Sequence, residues 1–361
     1  MRAGARSPLA ELALELVAVP SPIGQEGPLA DLVEARVAAL GPAVRRERIG
    51  HNVVARVDRP GGSGAVALFG HLDTVAGHVA DPVRLDGDRL YGCGASDMKG
   101  GLAVMLALLA EAAASRTPGP ALVAVFYDRE EGPYAESGLG PVLERSRLLA
   151  GVDFAFCLEP TGGEVQVGCL GALHARVRFT GRAAHSARPW EGENAIHKAA
   201  PFLSRIAART PRDVTIQGLT FREVMSVTTA RSHAVRNVVP DFFELNVNYR
   251  FAPDKRIDAA RADVLAIVGS EAEVAFVDEA PPGPVVRDHP VLARFLEITG
   301  APVAPKQAWT DVARLGQAGI PAVNYGPGEP SQAHQSGEWA PVAPLGTARA
   351  ALATFLGLAG R

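Results

Sequence analysis

The chain has 361 residues, of which 47% are hydrophobic and 21% are charged, and its formal net charge is -3. A chain of this length exceeds what one hydrophobic core usually fills, so two domains are expected. The slight acidic excess excludes a surface built to bind nucleic acid, which needs clustered basic residues. The three cysteines form no CxxC pair, which favours a reducing compartment.

The N-terminal segment predicts an amphipathic helix and not an export signal. Apolar residues between Leu9 and Val17 recur with helical spacing, and Glu11 and Glu15 interrupt the run. A signal peptide needs an uninterrupted apolar stretch. We therefore expect a cytoplasmic protein with no membrane partner.

Short apolar runs alternate with helical patterns over much of the chain. Strands are predicted over residues 53–57, 65–69, 121–127, 152–158 and 320–325, and a buried helix over residues 102–110. This alternation indicates an α/β domain with a mostly parallel sheet. In such sheets, ligands bind beyond the carboxyl ends of the strands.

The middle of the chain has a different pattern. Residues 173–179 and 243–251 alternate between apolar and polar, which is typical of strands with one wet face. Helices are predicted over 194–209, where Pro201 predicts a kink or a break, and over 257–268. With further strands over 224–230 and 273–277, the order β-α-β-β-α-β indicates a ferredoxin-like α+β unit. The predicted domains are a catalytic domain in two segments, 1–171 and 283–361, and an inserted lid or dimerisation domain at 172–282.

Histidine and acidic side chains lie at or beyond the ends of the predicted α/β strands. Those that could hold two divalent ions are His71, Asp97, Glu131, Glu159 and His334. Taken singly, each is more typical of a cap or a satisfied polar group. Together, carboxylates at one sheet edge repel each other by about 4 kcal/mol per pair at ~4 Å and an effective dielectric of about 20. Bound cations remove that repulsion, and mixed imidazole and carboxylate donors suit zinc, with cobalt or manganese as substitutes.

The neighbouring acids Glu130 and Glu131 suggest a division of labour. One can bind a metal ion while the other holds and deprotonates the attacking water. Asp73 is better suited to fixing the tautomer of His71 than to binding a metal. The presence of a base beside the centre favours an enzyme over the competing class, a non-catalytic binding protein on the same fold.

Several segments resemble the co-catalytic zinc aminoacylase and carboxypeptidase family. They are GHLDTV (70–75), GCGASDMKGG (92–101), the Glu130–Glu131 pair, Glu159-Pro-Thr, a late His334, and AAHSARPWEGENAI (183–196), which is similar to the family's lid motif. The resemblance implies that Asp97 bridges two metal ions. It places His71 and Glu159 on one ion and Glu131 and His334 on the other, with Glu130 as general base. It also implies a cis peptide bond between Asp97 and Met98.

Within this family, four segments resemble the actinobacterial branch that hydrolyses N-succinyl-diaminopimelate. They are VFYDREE (125–131), NVVPD (237–241), NVNYRFAPD (246–254) and WTDVARL (309–315). The implied activity is hydrolysis of a small N-acyl amide in lysine and cell-wall precursor synthesis. Acetylornithine deacetylation and carboxypeptidase activity stay open, because related enzymes share the same metal core.

The resemblance also implies substrate-binding residues and a homodimer formed through the inserted domain. His185 matches a histidine that stabilises the tetrahedral oxyanion across the dimer interface, although a loop histidine that caps the backbone is the alternative. Asn237, Arg250 and Gly326 are the candidate substrate-binding residues, and for Arg250 alone a wet-face strand residue is the default. One departure from the family pattern is Gly337, which stands where an acidic residue is usual.

Overall fold

The computed structural model describes residues 7–78, 81–233 and 235–358. In these residues the helices are α1 (Pro8–Val17), α2 (Gly27–Ala39), α3 (Gly100–Ala114), α4 (Leu139–Arg145), α5 (Ala195–Lys198), α6 (Ala200–Ala207), α7 (Ile257–Val268), α8 (Pro290–Thr299), α9 (Val312–Gln317) and α10 (Ala343–Phe355). Within the described segments, no helix has both the length and the apolar character that crossing a bilayer requires.

The strands of the same residues fall into four sheets. They are β1 (Val44–Ile49), β2 (Asn52–Val57), β3 (Ala65–His71), β4 (Arg84–Asp86), β5 (Arg89–Tyr91), β6 (Ala121–Tyr127), β7 (Val152–Cys157), β8 (Val165–Val167), β9 (Gly171–Thr180), β10 (Ala184–His185), β11 (Arg212–Ile216), β12 (Leu219–Arg231), β13 (Val238–Val239), β14 (Phe242–Phe251), β15 (Glu273–Ala280), β16 (Val303–Pro305), β17 (Ala322–Asn324) and β18 (Trp339–Pro341).

The chain divides into two compact units. Unit 1 comprises the described residues of Met1–Val167, Val286–Ala304 and Arg314–Arg361, and unit 2 those of Gly168–Val285 and Pro305–Ala313. The domain boundaries that we draw from the sequence, at 171/172 and 282/283, stay a prediction.

Unit 1 is built around an eight-stranded, mostly parallel sheet, which confirms the predicted α/β class. Its strand order is β1-β2-β6-β3-β7-β17-β8-β16. The four central strands β6, β3, β7 and β17 run parallel, whereas β1 and β2 are antiparallel to their neighbours and β8 is antiparallel to β17. Every residue of β3 and β6 is buried, as their unbroken apolar sequences predict for strands covered on both faces. The order therefore brings the carboxyl ends of four parallel strands to one edge of the sheet.

Unit 2 contains a five-stranded antiparallel sheet in the order β11-β12-β14-β9-β15. Along β9, the apolar residues from Leu173 to Phe179 are buried while Arg176 and Arg178 are exposed. The order β9-α5-α6-β12-β14-α7-β15 contains the predicted β-α-β-β-α-β unit, to which β11 adds a hairpin with β12. Two short helices, α5 and α6, replace the helix predicted over residues 194–209. Pro201 lies in the first turn of α6, where its missing N–H has no intrahelical partner to lose.

Unit 2 contains a network of charged and polar side chains. Glu223 is 4% exposed and accepts hydrogen bonds from the Arg212 side chain and the amide of Ala252 at 2.8 and 3.0 Å. The hydroxyl of Tyr249 donates to Glu223 and, more closely, to Asp263 at 2.8 Å. These groups satisfy one another, so the network is structural.

Candidate metal centre

The carboxyl ends of the central strands carry most of the candidate side chains. His71 is the last residue of β3, Glu130 and Glu131 follow β6, and Glu159 follows β7. Because β6, β3 and β7 are parallel neighbours, these side chains lie at one edge of the sheet. Asp97 reaches the same edge from the turn that precedes α3, which begins at residue 100.

Asp97 lies between two histidines and directs one carboxylate oxygen to each. Its Oδ1 is 3.2 Å from Nε2 of His71, and its Oδ2 is 3.6 Å from Nε2 of His334. The same nitrogen of His334 is 2.6 Å from Oε1 of Glu131. A carboxylate shared in this way between two imidazoles is placed as a ligand that bridges two cations would be.

Three groups of side chains bring their ligand atoms within 4.8 Å of one another. They are His71, Asp97 and Glu159; Asp97, Glu131 and His334; and His71, Glu130 and Glu131. The first two groups contain the residues predicted for each ion, with Asp97 in both. The third group shows that Glu130, like Glu131, brings a carboxylate oxygen within 4.8 Å of His71. The individual roles, including the division between base and ligand, therefore stay a prediction.

The charges around the two histidines fit a site for cations. Burial by itself lowers the pKa of His71, but the carboxylates of Asp97, Asp73 and Glu130 raise that pKa well above its usual value. The hydrogen bond with Glu131 raises the pKa of His334 to about 9. In the metal-free protein both imidazoles thus hold protons that offset carboxylate charge. Divalent cations can replace those protons, since histidine binds a metal in its neutral form.

Asp73 organises the backbone beneath the centre. It is fully buried, and its carboxylate oxygens accept the amides of Glu130 and Glu131 at 3.0 and 2.9 Å. The backbone carbonyl of Asp73 lies 3.0 Å from Nδ1 of His71, whereas the carboxylate is 3.6 Å away. A carbonyl only accepts, so Nδ1 carries the proton and Nε2 faces the centre. The sequence led us to expect that the Asp73 side chain fixes the tautomer of His71. In the structure, the backbone carbonyl of Asp73 lies closer to Nδ1 of His71 than the Asp73 carboxylate does.

Glu338 belongs to the centre although the sequence does not single it out. Its side chain is 3% exposed, and its carboxylate accepts amides of the turn that carries Asp97. Burial raises the pKa of Glu338 to about 7, against the lowering effect of these backbone hydrogen bonds. The acidic residue expected at Gly337 is found one position later. The signal in the sequence that could have identified Glu338 is its position, four residues after the candidate ligand His334.

The backbone adopts uncommon conformations at this site. The peptide bond between Asp97 and Met98 is cis, as the family resemblance implies. Arg129 and His334 have φ angles of 58° and 61°, which non-glycine residues rarely adopt and which are concentrated at functional sites.

Gly326 lies against the backbone of the β7 end. A Cβ on Gly326 would lie 2.4 Å from the carbonyl oxygens of Leu158 and Glu159, so no larger residue fits. The hydroxyl of Thr161 bonds both the amide and the carbonyl of Gly326 at 3.1 Å. Glycine at this position therefore permits close packing against the segment that carries Glu159. Its predicted contact with substrate stays a prediction.

The predicted oxyanion-stabilising residue His185 and the predicted substrate-binding residues Asn237 and Arg250 lie in unit 2. His185 pairs with Val238 in the two-stranded β10–β13 ladder, which brings it next to Asn237. The Nδ1 atom of His185 accepts the amide of Ala187 at 3.1 Å, so the ring proton is on Nε2. Arg250 lies on β14, opposite Ala172 of β9.

Comparisons with known proteins agree with this geometry. A family profile described as peptidase family M20/M25/M40 matches residues 67–357. The chain is 37% identical over 353 residues to the succinyl-diaminopimelate desuccinylase of Corynebacterium glutamicum, covering 96% of this chain and 95% of that protein. It is 40% identical over 350 residues to DapE of Mycobacterium tuberculosis, which is provisionally named for the same activity, covering 96% and 97% of the two chains.

Among solved structures, a tripeptidase of Staphylococcus aureus superposes with a TM-score of 0.78 at 21% identity, covering 96% of both chains. At that identity the likeness supports the fold alone. The profile match and the two sequence relatives together show that the chain belongs to peptidase family M20/M25/M40 and is a metal-dependent hydrolase.

Proposed function

We propose that this protein is a dinuclear amidohydrolase that cleaves N-succinyl-LL-2,6-diaminopimelate to succinate and LL-diaminopimelate. The observation that carries the dinuclear part is the position of Asp97, with one carboxylate oxygen facing His71 and the other facing His334. The substrate is inferred from the desuccinylases that the chain resembles over nearly its whole length. Zinc is the metal that best suits two imidazoles and three carboxylates, with cobalt or manganese as substitutes.

His71, Glu159, Asp97, Glu131 and His334 would hold the two ions. When bound, the ions supply Lewis-acid polarisation of the scissile carbonyl and of the attacking water. Glu130 takes a proton from that water as it attacks the amide carbon, and then delivers the proton to the leaving nitrogen as the C–N bond breaks. The Asp73 carboxylate accepts the backbone amides of Glu130 and Glu131, so the base Glu130 stays in place beside the ligand Glu131.

His185 supplies the remaining catalytic contact in this proposal. Its Nε2–H is available to donate to the oxyanion of the tetrahedral intermediate, because Nδ1 is taken by the amide of Ala187. Arg250 and Asn237 would bind carboxylates of the substrate; the Arg side chain suits this because its planar fork pairs bidentately with a carboxylate. We further propose a homodimer through unit 2, in which His185 acts at the centre of the partner.

A cytoplasmic location fits the same function. Cys93, Cys157 and Cys169 are all free and buried, and free thiols persist in reducing compartments.

The proposal is tested with purified protein that has been loaded with zinc and assayed side by side on N-succinyl-LL-diaminopimelate and N-acetylornithine. We expect a higher kcat/KM for the succinyl substrate. A higher value for N-acetylornithine, or turnover of neither substrate by protein that holds two ions per chain, would reject the assigned substrate. Full activity after removal of all metal would reject the mechanism.

A further inference from the structure

The Glu338 carboxylate makes three hydrogen bonds to one short turn of the backbone. Oε1 accepts the amides of Ser96 and Asp97 at 2.7 and 3.0 Å, and Oε2 accepts the amide of Gly94 at 2.7 Å. The amide of Asp97 matters most, because it belongs to the residue whose carboxylate lies between the two histidines. Glu338 therefore bonds directly to the backbone of the shared ligand, but among the described residues it belongs to none of the three groups of candidate metal ligands.

Only a carboxylate can make this set of contacts. Three N–H groups converge on two oxygens, and both oxygens of an ionised carboxylate accept. A glutamine side chain has one accepting oxygen, and its NH₂ group would face an amide that also donates. The residue type is therefore dictated by the turn, even though an anion at this position adds repulsion to a centre already rich in carboxylates.

A second set of contacts joins the turn containing Asp97 to the loop containing His334. The hydroxyl of Ser96 donates to the carbonyl of Glu329 at 2.9 Å and accepts the amide of Glu329 at 2.6 Å. The loop containing His334 and the turn containing Asp97 are therefore tied together without Glu338. What Glu338 adds is control over the direction of the Asp97 backbone.

From these contacts we propose that Glu338 is a positioning residue for the metal centre. It fixes the turn from Gly94 to Asp97 so that the two oxygens of Asp97 face His71 and His334, the residues that would hold the two ions. Because Glu338 follows His334 by four residues, one segment supplies a ligand to one ion and also orients the ligand that both ions share. This inference rests on the proposed dinuclear centre.

The experiment measures cobalt binding, so it does not depend on substrate. Full-length protein is freed of metal with a chelator and titrated with Co²⁺ by calorimetry, and the visible spectrum is recorded at each addition. Glu338→Gln is compared with wild type, with Glu338→Asp, and with the matched control Glu223→Gln. Glu223 is also a buried carboxylate that accepts a backbone amide, that of Ala252, but it belongs to unit 2 and to the structural network described above.

We expect Glu338→Gln to weaken Co²⁺ binding about 10- to 100-fold in at least one site, the range typical of residues that orient metal ligands, and to shift the Co²⁺ absorption bands. Glu338→Asp keeps the charge and should recover part of the affinity. Glu223→Gln should lower the melting temperature and leave Co²⁺ affinity and spectrum as in wild type.

Wild-type affinity and bands in Glu338→Gln, with a lowered melting temperature only, would show that Glu338 merely stabilises a loop and would overturn the inference. If Glu338→Gln does not fold, Glu338→Asp decides, since wild-type affinity and bands in that variant contradict the proposed geometry. Failure of the wild-type protein to bind two ions would reject the dinuclear centre itself. The wild-type protein therefore tests the dinuclear centre, and the Glu338 variants test the positioning role separately.

Discussion

The substitution Asp73→Asn tests how the backbone of the catalytic acids is held. The carboxylate of Asp73 is fully buried and accepts the amides of Glu130 and Glu131 at 3.0 and 2.9 Å. Asparagine has the same shape but only one accepting oxygen, so one amide loses its partner and faces an NH₂ group. The contact between the Asp73 carbonyl and Nδ1 of His71 involves the backbone, so the substitution leaves it in place.

The magnitude follows from those contacts. Losing a hydrogen bond to a charged group and leaving a donor unsatisfied in a buried site costs about 3 kcal/mol. Since about 1.4 kcal/mol corresponds to a tenfold change in rate, we expect kcat to fall about 100-fold if the whole cost is felt at the segment that carries Glu130. Two ions per chain should still bind when metal is supplied in excess, because all five ligand side chains are retained, although the ion assigned to Glu131 should bind more weakly.

Steady-state kinetics and elemental analysis of Asp73→Asn measure both quantities. The matched control is Asp153→Asn, because the Asp153 carboxylate also accepts a backbone amide, that of Ala65 at 3.1 Å, but at the opposite end of β3. The control should lose stability to denaturant and retain kcat. An unchanged kcat in Asp73→Asn, or equal losses of kcat in the two variants, would refute the reasoning.

Three further predictions concern the same centre. Glu130→Gln should abolish turnover and keep both metal ions, whereas Glu131→Gln should lose an ion; elemental analysis that finds the two variants alike rules out the division between base and ligand. Because the pKa of His334 is raised from 6.5 to about 9, its ion pair with Glu131 stabilises the metal-free fold below pH 6.5 and is lost as the pH rises through 9. Metal binding near pH 7.5 should therefore release the proton of His334 in addition to that of His71, seen by calorimetry in buffers of different ionisation enthalpy. A proton release that does not fall by about one as the pH rises through 9 would exclude His334 as a source. Mixed dimers of Glu130→Gln and His185→Ala chains should regain about half of the wild-type rate per dimer, as one site is rebuilt from two intact halves; mixed dimers as inactive as their parents would show that His185 does not act on the partner.

Most of the unit 1 fold follows from local sequence pattern. The apolar runs predicted over residues 65–69 and 121–127 correspond to β3 and β6, because strands buried on both faces contain few polar residues. Short polar strands were less accessible to this reasoning. For example, β1 has the sequence VRRERI and is only partly buried. Its charged residues do not indicate a strand, which is recognised only from its antiparallel pairing with β2.

That candidate metal ligands cluster at this edge could also be predicted, because His71, Glu131 and Glu159 lie at or just after strand ends and Asp97 lies in a glycine-rich turn. The parallel order of β6, β3 and β7 turns those separate positions into one cluster. Glu338 could not be predicted in this way. Its partners are backbone amides about 240 residues away, and a backbone amide has no residue type that a sequence could display.

Asp73 and Glu338 solve one physical problem with the same device. Each lies within four residues of a metal-facing histidine, Asp73 after His71 and Glu338 after His334, and each accepts backbone amides of a segment that carries another ligand. The segment of His71 thereby holds Glu131, which we assign to the other ion, and the segment of His334 holds Asp97, which we assign to both. The two ligand sets therefore depend on each other. Asp73, beside His71, holds the backbone of Glu131, and Glu338, near His334, holds the backbone of Asp97. This arrangement explains why buried anions are retained around an anionic centre: they bind the backbone and so fix the positions in which the ligands can share two cations.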